Sequence, residues 1–344
     1  MKGNAYFVRI QAAFIVPALM FSLILAGCAS TPEPEIPDSA ADSALVSITS
    51  GWYHNLAIAE DGSLWAWGWN FFGQLGNGTR ENNLAPARVG TDTNWAFVSA
   101  GTNHSAAIRT DGTLWTWGSN FFGQLGDGTT ENRHVPTQIG TETDWATVAV
   151  GNGHTLAIKR DGTLWSWGLN TSGQLGNGTT GRHNNIPAQA ATVNTWALAS
   201  AGHGRSKAVA TDGSLWIWGA NWDGWFRENI LDPTRIGTDT NWAETHAGMG
   251  ILVLQSFVGL VPGLQHSVAT RTDGTIWSTG SNYSGQFGND THSILPAWLP
   301  HTQTGTDTDW ASVAVGSEFT AAVKENGSLW IWGNIRPYFL SQRN

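Results

Sequence analysis

Short apolar segments alternate with polar turns along most of this chain, and the same arrangement returns about every fifty residues. The clearest copy runs from Asp111 to Gly126 and reads Asp-Gly-Thr-Leu-Trp-Thr-Trp-Gly-Ser-Asn-Phe-Phe-Gly-Gln-Leu-Gly. Further copies, the last of them cut short, begin at Asp61, Asp161, Asp212, Asp273 and Asn326. Self-similarity at a fixed spacing of this size indicates a tandem repeat, which takes precedence over a division into ordinary domains.

Each repeat has the pattern of four short strands. An apolar segment that ends in glycine, such as Ala96–Gly101, opens the unit, and a second strand begins at a histidine such as His104. A two-residue Asp-Gly or Asn-Gly turn follows, which is a strong hairpin signal because both turn residues need positive φ. The third strand is Leu-Trp-x-Trp-Gly, and a segment led by proline, such as Pro136–Ile139, fits an edge strand. Four strands per unit predict an all-β chain, a β-propeller of four-stranded blades.

The full pattern is Gly-x-x-His, then Asp-Gly-x-Leu-Trp-x-Trp-Gly-x-Asn-x-x-Gly-Gln-Leu-Gly-x-Gly-Thr, and it resembles the repeat of the regulator of chromosome condensation family. The resemblance covers about Ser43 to Gly333, so the propeller is expected to occupy residues 44–344. Related members form rings of seven blades, whereas six repeats of about 50 residues are counted here. Either Ile335–Leu340 supplies the last strand or the ring is incomplete.

Two repeats depart from the pattern. In the fourth, Trp222–Phe226 replaces the Gly-Gln-Leu-Gly loop, and Arg205 stands where other repeats have histidine. The fifth contains an insertion at about residues 247–262, which includes the almost wholly apolar segment Met249–Pro262. Because a single insertion in a regular array usually lies in a loop on one face, it is a candidate part of a binding face.

The N-terminus has the pattern of an export signal. Lys2 and Arg9 precede the apolar run Ile10–Leu25, and small residues lead to Cys28. Leu25-Ala-Gly-Cys28 resembles the bacterial lipobox, which implies that Cys28 is lipidated and becomes the mature N-terminus. The alternative is an uncleaved membrane anchor, although a run of about 16 residues is short for a span.

We therefore expect a lipoprotein signal peptide over residues 1–28. Residues 29–43 are rich in proline and acids and are expected to form a disordered tether. Ala29 is not the aspartate that, by the same resemblance, favours retention on the inner membrane. The expected location is the bacterial cell envelope, most simply the outer membrane, with a lipid anchor as the only membrane contact.

Composition narrows the class of partner. Charged residues make up 12% of the chain, against about 25% in a typical soluble protein. The net charge of −9 and the lack of clustered Lys and Arg argue against nucleic acid, because phosphate binding needs such clusters. Cys28 is the only cysteine, so neither a disulfide framework nor a cysteine-based zinc site is expected.

The aromatic residues divide into a predicted core and a candidate surface. Sixteen of the 21 tryptophans occupy repeat positions and are interpreted as core, while Trp298 and four others fall outside the repeat. Aromatic residues in loops could either form an exposed partner surface or cap the blade below them. The candidate partner-binding residues are Trp52, Trp69, Phe71, Phe72, Phe121, Phe122, Trp222, Trp225, Phe226 and Tyr283.

Other polar groups recur once per repeat and are interpreted as structural. The equivalent histidines, His54, His104, His154 and His266, are expected to bond to nearby backbone, because blade geometry keeps them too far apart for a shared metal ion. Acidic turns such as Gly140–Asp144 offer oxygens to calcium but lack a full calcium loop, so they are interpreted as turns. No metal or cofactor is expected.

No catalytic constellation stands out from the repeat background. The leading hypothesis is therefore a lipid-anchored, extracytoplasmic propeller that binds an envelope or secreted protein through its rim loops. The family's nucleotide exchange on a nuclear GTPase does not suit an exported lipoprotein, whereas some similar bacterial propellers bind penicillin-recognising enzymes. The alternatives are glycan binding through exposed tryptophans and a hydrolase with its site at the axial channel, and fold alone does not choose among them.

Overall fold

The computed structural model describes residues 45–181, 183–190, 195–220, 228–247, 266–282, 285–289, 291, 293–315, 319–326 and 328–333. Regular structure in these ranges consists of strands, and none of the described residues forms a helix long and apolar enough to cross a membrane. Several predictions concern residues outside these ranges: the signal peptide with Cys28, the tether, Trp222, Trp225, Phe226, Tyr283, the segment Met249–Pro262 and Ile335–Leu340.

The described residues form 23 strands. In chain order they are β1 Leu45–Ser50, β2 His54–Ala59, β3 Leu64–Gly68, β4 Asn83–Arg88, β5 Trp95–Ala100, β6 His104–Arg109, β7 Leu114–Gly118, β8 Arg133–Ile139, β9 Trp145–Val150, β10 His154–Lys159, β11 Leu164–Gly168, β12 Asn184–Gln189, β13 Trp196–Ala201, β14 Arg205–Ala210, β15 Leu215–Gly219, β16 Ile230–Ile236, β17 Trp242–Ala247, β18 His266–Arg271, β19 Ile276–Asn282, β20 Ser293–Gln303, β21 Trp310–Val315, β22 Phe319–Lys324 and β23 Leu329–Gly333.

Consecutive strands pair in antiparallel order, which produces five four-stranded sheets and a sixth sheet with three described strands, β21–β23. Each sheet is one predicted repeat, so the all-β class and the four-stranded blade are confirmed. The chain divides into two compact units. The first unit holds β1–β16, the first four blades, and the second unit holds β17–β23.

The predicted Asp-Gly hairpins are present, but their loops have three residues rather than two. In the first blade, Gly62 N–H donates to the carbonyl of Ala59, and Ala59 N–H donates to the carbonyl of Ser63. Gly62 has a φ of 76°, which favours glycine. The Asp61 carboxylate accepts the Ser63 amide at 2.9 Å, and the Ser63 hydroxyl accepts the indole N–H of Trp65 at 2.9 Å. The turn therefore also orients the first tryptophan of the third strand.

Tryptophan joins neighbouring blades of the first unit. Trp117 of the second blade is fully buried in one cluster with Leu56 of the first blade and with Trp95 and Val98. Its indole N–H donates to the carbonyl of Gln74 in the first blade at 2.9 Å. Burying such a side chain removes about 150–250 Å² from water, a gross gain of roughly 4–6 kcal/mol. The same contact is made by Trp167 and Trp218.

The predicted tryptophan core is confirmed at nine positions, where the side chain is fully buried, and six more positions are partly buried. Trp330 differs, with 36% of its surface exposed. Its equivalent Trp65 lies beside the fourth strand of the blade, where it pairs with Arg88. No fourth strand of the last blade lies within the described residues, which explains the exposure. The nine buried residues are Trp65, Trp67, Trp95, Trp117, Trp145, Trp167, Trp196, Trp218 and Trp242.

The residues that directly follow the first strands of neighbouring blades approach so closely that glycine is required there. A Cβ added to Gly51 would collide with the carbonyl oxygen of Gly101 in the next blade. The neighbouring amide of Trp52 donates to that same carbonyl at 3.1 Å. One backbone hydrogen bond per pair of blades thus fixes their separation at this point, and any side chain would prevent it.

Candidate functional site

The antiparallel order gives the first unit two different faces. The connections between the first and second strands and between the third and fourth strands of each blade lie on one face, which we term the loop face. The Asp-Gly turns and the links between blades lie on the opposite turn face. On the loop face the two connections of a blade touch, since the amide of Trp69 donates to the carbonyl of Tyr53 at 2.7 Å.

Exposed aromatic rings cluster on the loop face of the first two blades. Phe71 is 55% exposed and Phe121 is 58% exposed. Phe72 lies between them, with ring centroids 4.9 Å from Phe71 and 5.6 Å from Phe121, so the contact crosses from the first blade to the second. We call the aromatic surface the set formed by Trp52, Tyr53, Trp69, Phe71, Phe72, Phe121 and Phe122.

A second row of rings belongs to the same surface. Trp52, Tyr53 and Trp69 follow one another with centroid separations of 5.2 and 5.3 Å, and the planes of adjacent rings are tilted by 30°. Tyr53 and Trp69 are exposed, whereas Trp52 is partly buried. Trp69 is followed two residues later by Phe71, so the two rows are joined through one loop.

Buried polar groups hold the loops that carry these phenylalanines. Asn70 is fully buried, and its side-chain oxygen accepts the Leu75 amide at 2.9 Å while its nitrogen donates to the Thr79 carbonyl at 3.1 Å. The Phe72 amide donates to the side chain of Gln74 at 3.0 Å. The equivalent bonds are made by Asn120 and Gln124 in the second blade. The exposed rings therefore project from loops whose conformation is fixed before any partner binds.

The structure divides the two interpretations of the loop aromatics. Phe122 does both: it is 37% exposed, and it packs against the third blade, where a Cβ added to Gly153 would lie 3.0 Å from its ring and the His183 ring centroid lies 5.8 Å away. Phe71 and Phe121 extend further into solvent, whereas Phe72 is partly buried. Of the other predicted surface residues, Trp222, Trp225, Phe226 and Tyr283 lie outside the described residues.

Tyr53 belongs to this surface and was missed by sequence reasoning. It is 38% exposed and lies between the two tryptophans Trp52 and Trp69. Tyr53 precedes the histidine of the Gly-x-x-His segment, a position that is Asn103 and Gly153 in the next two repeats. An aromatic residue at this variable position, directly after Trp52, was the signal in the sequence that could have identified it.

The repeated histidines bond to side chains, so the prediction that they bond to backbone is wrong. His54 Nε2 lies 2.8 Å from the hydroxyl of Ser105 in the next blade, and that hydroxyl donates to the carbonyl of Gln74 at 2.8 Å. Because the Ser105 hydroxyl uses its proton in the bond to Gln74, His54 Nε2 must be protonated and donate to the Ser105 oxygen. The equivalent pairs are His104 with Thr155, His154 with Ser206 and His266 with Thr320.

Burial makes these histidines neutral structural groups. Desolvation lowers the pKa of His54, His104 and His154 to about 3 in each case. The described part of the chain contains no group of three or more His, Cys, Asp or Glu side chains able to hold a metal ion. Each histidine instead links its blade to the next through one hydroxyl.

The turn face is charged rather than aromatic at its surface. The guanidinium of Arg109 stacks on Trp115, 3.8 Å from the ring centroid, and on Trp95 at 4.5 Å. Asp92 from the preceding acidic turn forms an ion pair with Arg109. In the third blade Lys159 repeats the arrangement with Asp144, at 3.2 Å. The predicted acidic turns thus lead into the tryptophan strands and supply carboxylates to these cations.

Comparison with known families agrees with this architecture. Two family models, both describing the regulator of chromosome condensation (RCC1) repeat, match the chain. One matches residues 61–108, 111–158 and 161–209, and the other matches residues 45–74, 95–124, 145–174, 263–286 and 310–334. This chain belongs to the RCC1 repeat family. The aromatic surface therefore lies on loops that connect the strands of RCC1 repeats.

Relatives of this RCC1-repeat chain match it over short segments. The ultraviolet-B receptor UVR8 of Arabidopsis thaliana is 38% identical over 56 residues, 16% of this chain and 13% of the receptor. The secretion-regulating guanine nucleotide exchange factor of Bos taurus is 33% identical over 89 residues, 24% of this chain and 19% of that protein. The matched segments thus span less than a quarter of these relatives.

Solved RCC1-type structures match over a much larger part of the chain. Yeast RCC1 (Prp20), solved bound to Kap60, is 21% identical and covers 84% of this chain and 70% of its own, with a TM-score of 0.69. Human WBSCR16 is 20% identical and covers 85% of this chain and 75% of its own, with a TM-score of 0.71. Prp20p of Saccharomyces cerevisiae, studied for binding to Gsp1p and histones, is 18% identical over 84% of this chain and 82% of its own, with a TM-score of 0.51. These likenesses confirm the β-propeller class.

Proposed function

We propose that this RCC1-repeat chain is a protein-binding module whose partner docks on the aromatic surface of the first unit. The observation that carries the proposal is the exposure of Phe71 and Phe121 on loops that buried Asn70 and Asn120 hold rigid. Rings presented on a fixed scaffold bury large apolar areas on binding and lose little conformational freedom, which is why they dominate protein interfaces.

The surface suits a protein partner with an apolar pocket. Arg80 stacks over Phe71 at 4.9 Å and supplies a polar border, as at the rim of many interfaces. Solved neighbours of the same fold support a protein partner, since yeast RCC1 binds Kap60 and Prp20p has been studied for binding to Gsp1p and histones. The proposal includes no catalytic residue and no cofactor.

We further propose, from the N-terminal sequence alone, that the chain acts in the bacterial cell envelope. Lipidation of Cys28 after removal of the signal peptide would tether the propeller to a membrane, most simply the outer membrane, and the partner would be an envelope or secreted protein. A Cys28→Ser variant is expected to leave the membrane fraction. Retention of an unprocessed Cys28→Ser chain in the membrane would refute the lipid anchor while leaving the binding surface untouched.

The third blade has a non-aromatic residue at the position of the exposed phenylalanines, which shows that the repeat folds without an aromatic ring there. Thr171 occupies the place of Phe71 and Phe121 in the repeat, and the adjacent Ser172 amide makes the same bond to its glutamine side chain, at 2.8 Å. The variant Phe71→Thr/Phe121→Thr should therefore fold normally and lack the two most exposed rings of the aromatic surface.

The experiment is capture of partners from solubilised envelope with the tagged mature protein, followed by a binding titration with the purified candidate. Phe71→Thr/Phe121→Thr is expected to weaken binding at least about tenfold, because central aromatic anchors contribute 2 kcal/mol or more. Leu84→Asn is the control: Leu84 is exposed on edge strand β4, and Asn185 stands at the same register of β12. Equal binding by wild type and the double variant would refute the proposal.

Glycan binding is a second candidate, carried by the row Trp52, Tyr53 and Trp69. With centroids 5.2 and 5.3 Å apart and planes tilted by 30°, these rings stack on one another, whereas the phenylalanine row is edge-to-face. Trp69, which is 48% exposed at one end of the stack, is the ring proposed to receive a sugar. Here a single Trp69→Ala change should abolish retention on peptidoglycan or polysaccharide. If Phe71→Thr/Phe121→Thr abolishes that retention and Trp69→Ala does not, the tryptophan row is excluded as the glycan site.

A further inference from the structure

A groove between the first and second blades has a charge arrangement that the other described grooves of the first unit lack. It has a volume of about 520 Å³, within the range of small-ligand sites, which is roughly 300–1,000 Å³. Arg88 of β4 lies on one side and Arg109 of β6 on the other. None of the rings of the aromatic surface lines this groove, although Gly76 and Asn77 of its lining belong to the loop that carries Phe71 and Phe72.

Repeat positions show why this groove is unusual. Arg88 pairs with the first tryptophan of its third strand, and the same position is held by Gln138 in the second blade, Gln189 in the third and Arg235 in the fourth. Arg109 has the equivalents Lys159 in the third blade and Ala210 in the fourth. Within the first unit, arginine therefore occupies both positions only between the first and second blades, in a chain whose net charge is −9. Later in the chain the same two repeat positions are held by Arg235 and Arg271.

The two arginines differ in how they are engaged. Arg109 is stacked between two indole rings and paired with Asp92, so its charge is compensated inside the groove. Arg88 is exposed, and one of its terminal nitrogens donates to the carbonyl of Thr91 at 3.0 Å. No described carboxylate lies within ion-pairing distance of Arg88, which leaves guanidinium donors available to a ligand.

The rest of the lining is apolar. Trp115 presents a partly buried indole, and Val135 and Pro136 of β8, in the same blade, also line the groove. A guanidinium binds a carboxylate through two parallel hydrogen bonds, and an adjacent indole and proline provide contact for an apolar group. Arg109 is held in an ion pair with Asp92, whereas Arg88 interacts electrostatically with the Asp61 carboxylate without forming an ion pair. The groove therefore offers one guanidinium outside an ion pair, which suits a monoanion better than a dianionic phosphate.

We propose that this groove binds a monoanionic carboxylate that carries an apolar or aromatic group, with the carboxylate on Arg88 and the apolar group against Trp115 and Pro136. Two sources share this chemistry: the C-terminal residue of a peptide chain and a free apolar acid. The repeat supplies a variant that tests the assignment, because the second and third blades have glutamine at the position of Arg88. Arg88→Gln should fold as the wild type does.

The test is a calorimetric titration of the full chain with N-acetyl-L-phenylalanine and, separately, with its uncharged amide. The acid is expected to bind the wild type, and Arg88→Gln is expected to weaken that binding at least about tenfold. Arg160→Gln, an exposed arginine of the third blade outside the groove, removes the same charge and should leave binding unchanged. The amide should bind neither wild type nor variant.

Three results would overturn the assignment. They are no binding of the acid to the wild type, equal binding of acid and amide, and equal binding of the acid to wild type and Arg88→Gln. Inorganic phosphate serves as a competitor, and displacement of the acid by phosphate at equal concentration would contradict the monoanion match. A tripeptide ending in phenylalanine then separates the two sources, since tighter binding of the peptide indicates a chain terminus and equal binding indicates a free acid.

Discussion

The link between blades through a histidine and a hydroxyl leads to a specific stability prediction for Thr155→Val. The Thr155 side chain is fully buried, and its hydroxyl lies 3.0 Å from His104 Nε2 and donates to the carbonyl of Gln124 at 2.8 Å. Valine has nearly the same shape and removes only the hydroxyl. Any loss of stability therefore reports on the hydrogen bonds rather than on a cavity.

The structure indicates which partner is left unsatisfied. The carbonyl of Gln124 keeps the indole N–H of Trp167 at 2.9 Å, so the acceptor still has one bond. His104 Nε2 loses its partner inside a fully buried site, and the other ring nitrogen has no hydrogen-bond partner among the described residues. A buried donor without a partner costs about 1–3 kcal/mol, which is the expected loss in the free energy of unfolding.

The assay is urea unfolding of the full chain, followed by tryptophan fluorescence. Thr137→Val is the control, because this exposed hydroxyl bonds only to the neighbouring Val135 carbonyl, and the change should stay within about 0.5 kcal/mol. His104→Phe completes a double-mutant cycle, since the sixth blade has Phe319 at that position. Without the histidine, Thr155→Val should cost little. Additive costs in the cycle, or equal stability of Thr155→Val and Thr137→Val, would refute the reasoning.

Two further predictions concern pH and the inner glycines. Burial lowers the folded-state pKa of His54, His104 and His154 to about 3, below the unfolded value of about 6.5, so the unfolded chain binds more protons in between. Stability should therefore fall as pH drops from about 6.5 towards 3, by up to about 1.4 kcal/mol per pH unit for each of these histidines. His104→Phe should reduce the slope measured by urea unfolding by up to that amount, and an unchanged slope would contradict this reasoning. Gly51→Ala should destabilise the first unit by more than about 2 kcal/mol, because the added Cβ collides with the Gly101 carbonyl. Gly90→Ala is the control: the added Cβ meets nothing within 4 Å, and only the φ of 65° is unfavourable for alanine, so the variant should cost about 1 kcal/mol. Equal melting shifts for the two glycine variants would exclude the collision.

The surface residues show how far the sequence alone could identify a candidate site. Phe71, Phe121 and Trp69 were predicted from their loops and are exposed, because the repeat assigns them no core position. Phe122 has the same repeat position as Phe72, yet Phe122 is 37% exposed, whereas Phe72 is partly buried between Phe71 and Phe121. Tyr53 joins the surface only through its contacts with Trp52 and Trp69. Membership of the surface depends on which blade lies next to each loop, and a repeat pattern does not encode that.

The sequence by itself determined the strands, their antiparallel order within each blade and the tryptophan core. These features depend on alternation along a strand and on glycine at turns, both of which act over a few residues. The tertiary structure decided which hydroxyl group bonds to each histidine, and it brought Arg88 and Arg109 to the same groove. The histidine bonds join residues about fifty positions apart, and the groove draws its lining from two blades. Contacts of this kind exist only once neighbouring blades pack together, and the packing distance, set by glycines such as Gly51, is a property of the folded array.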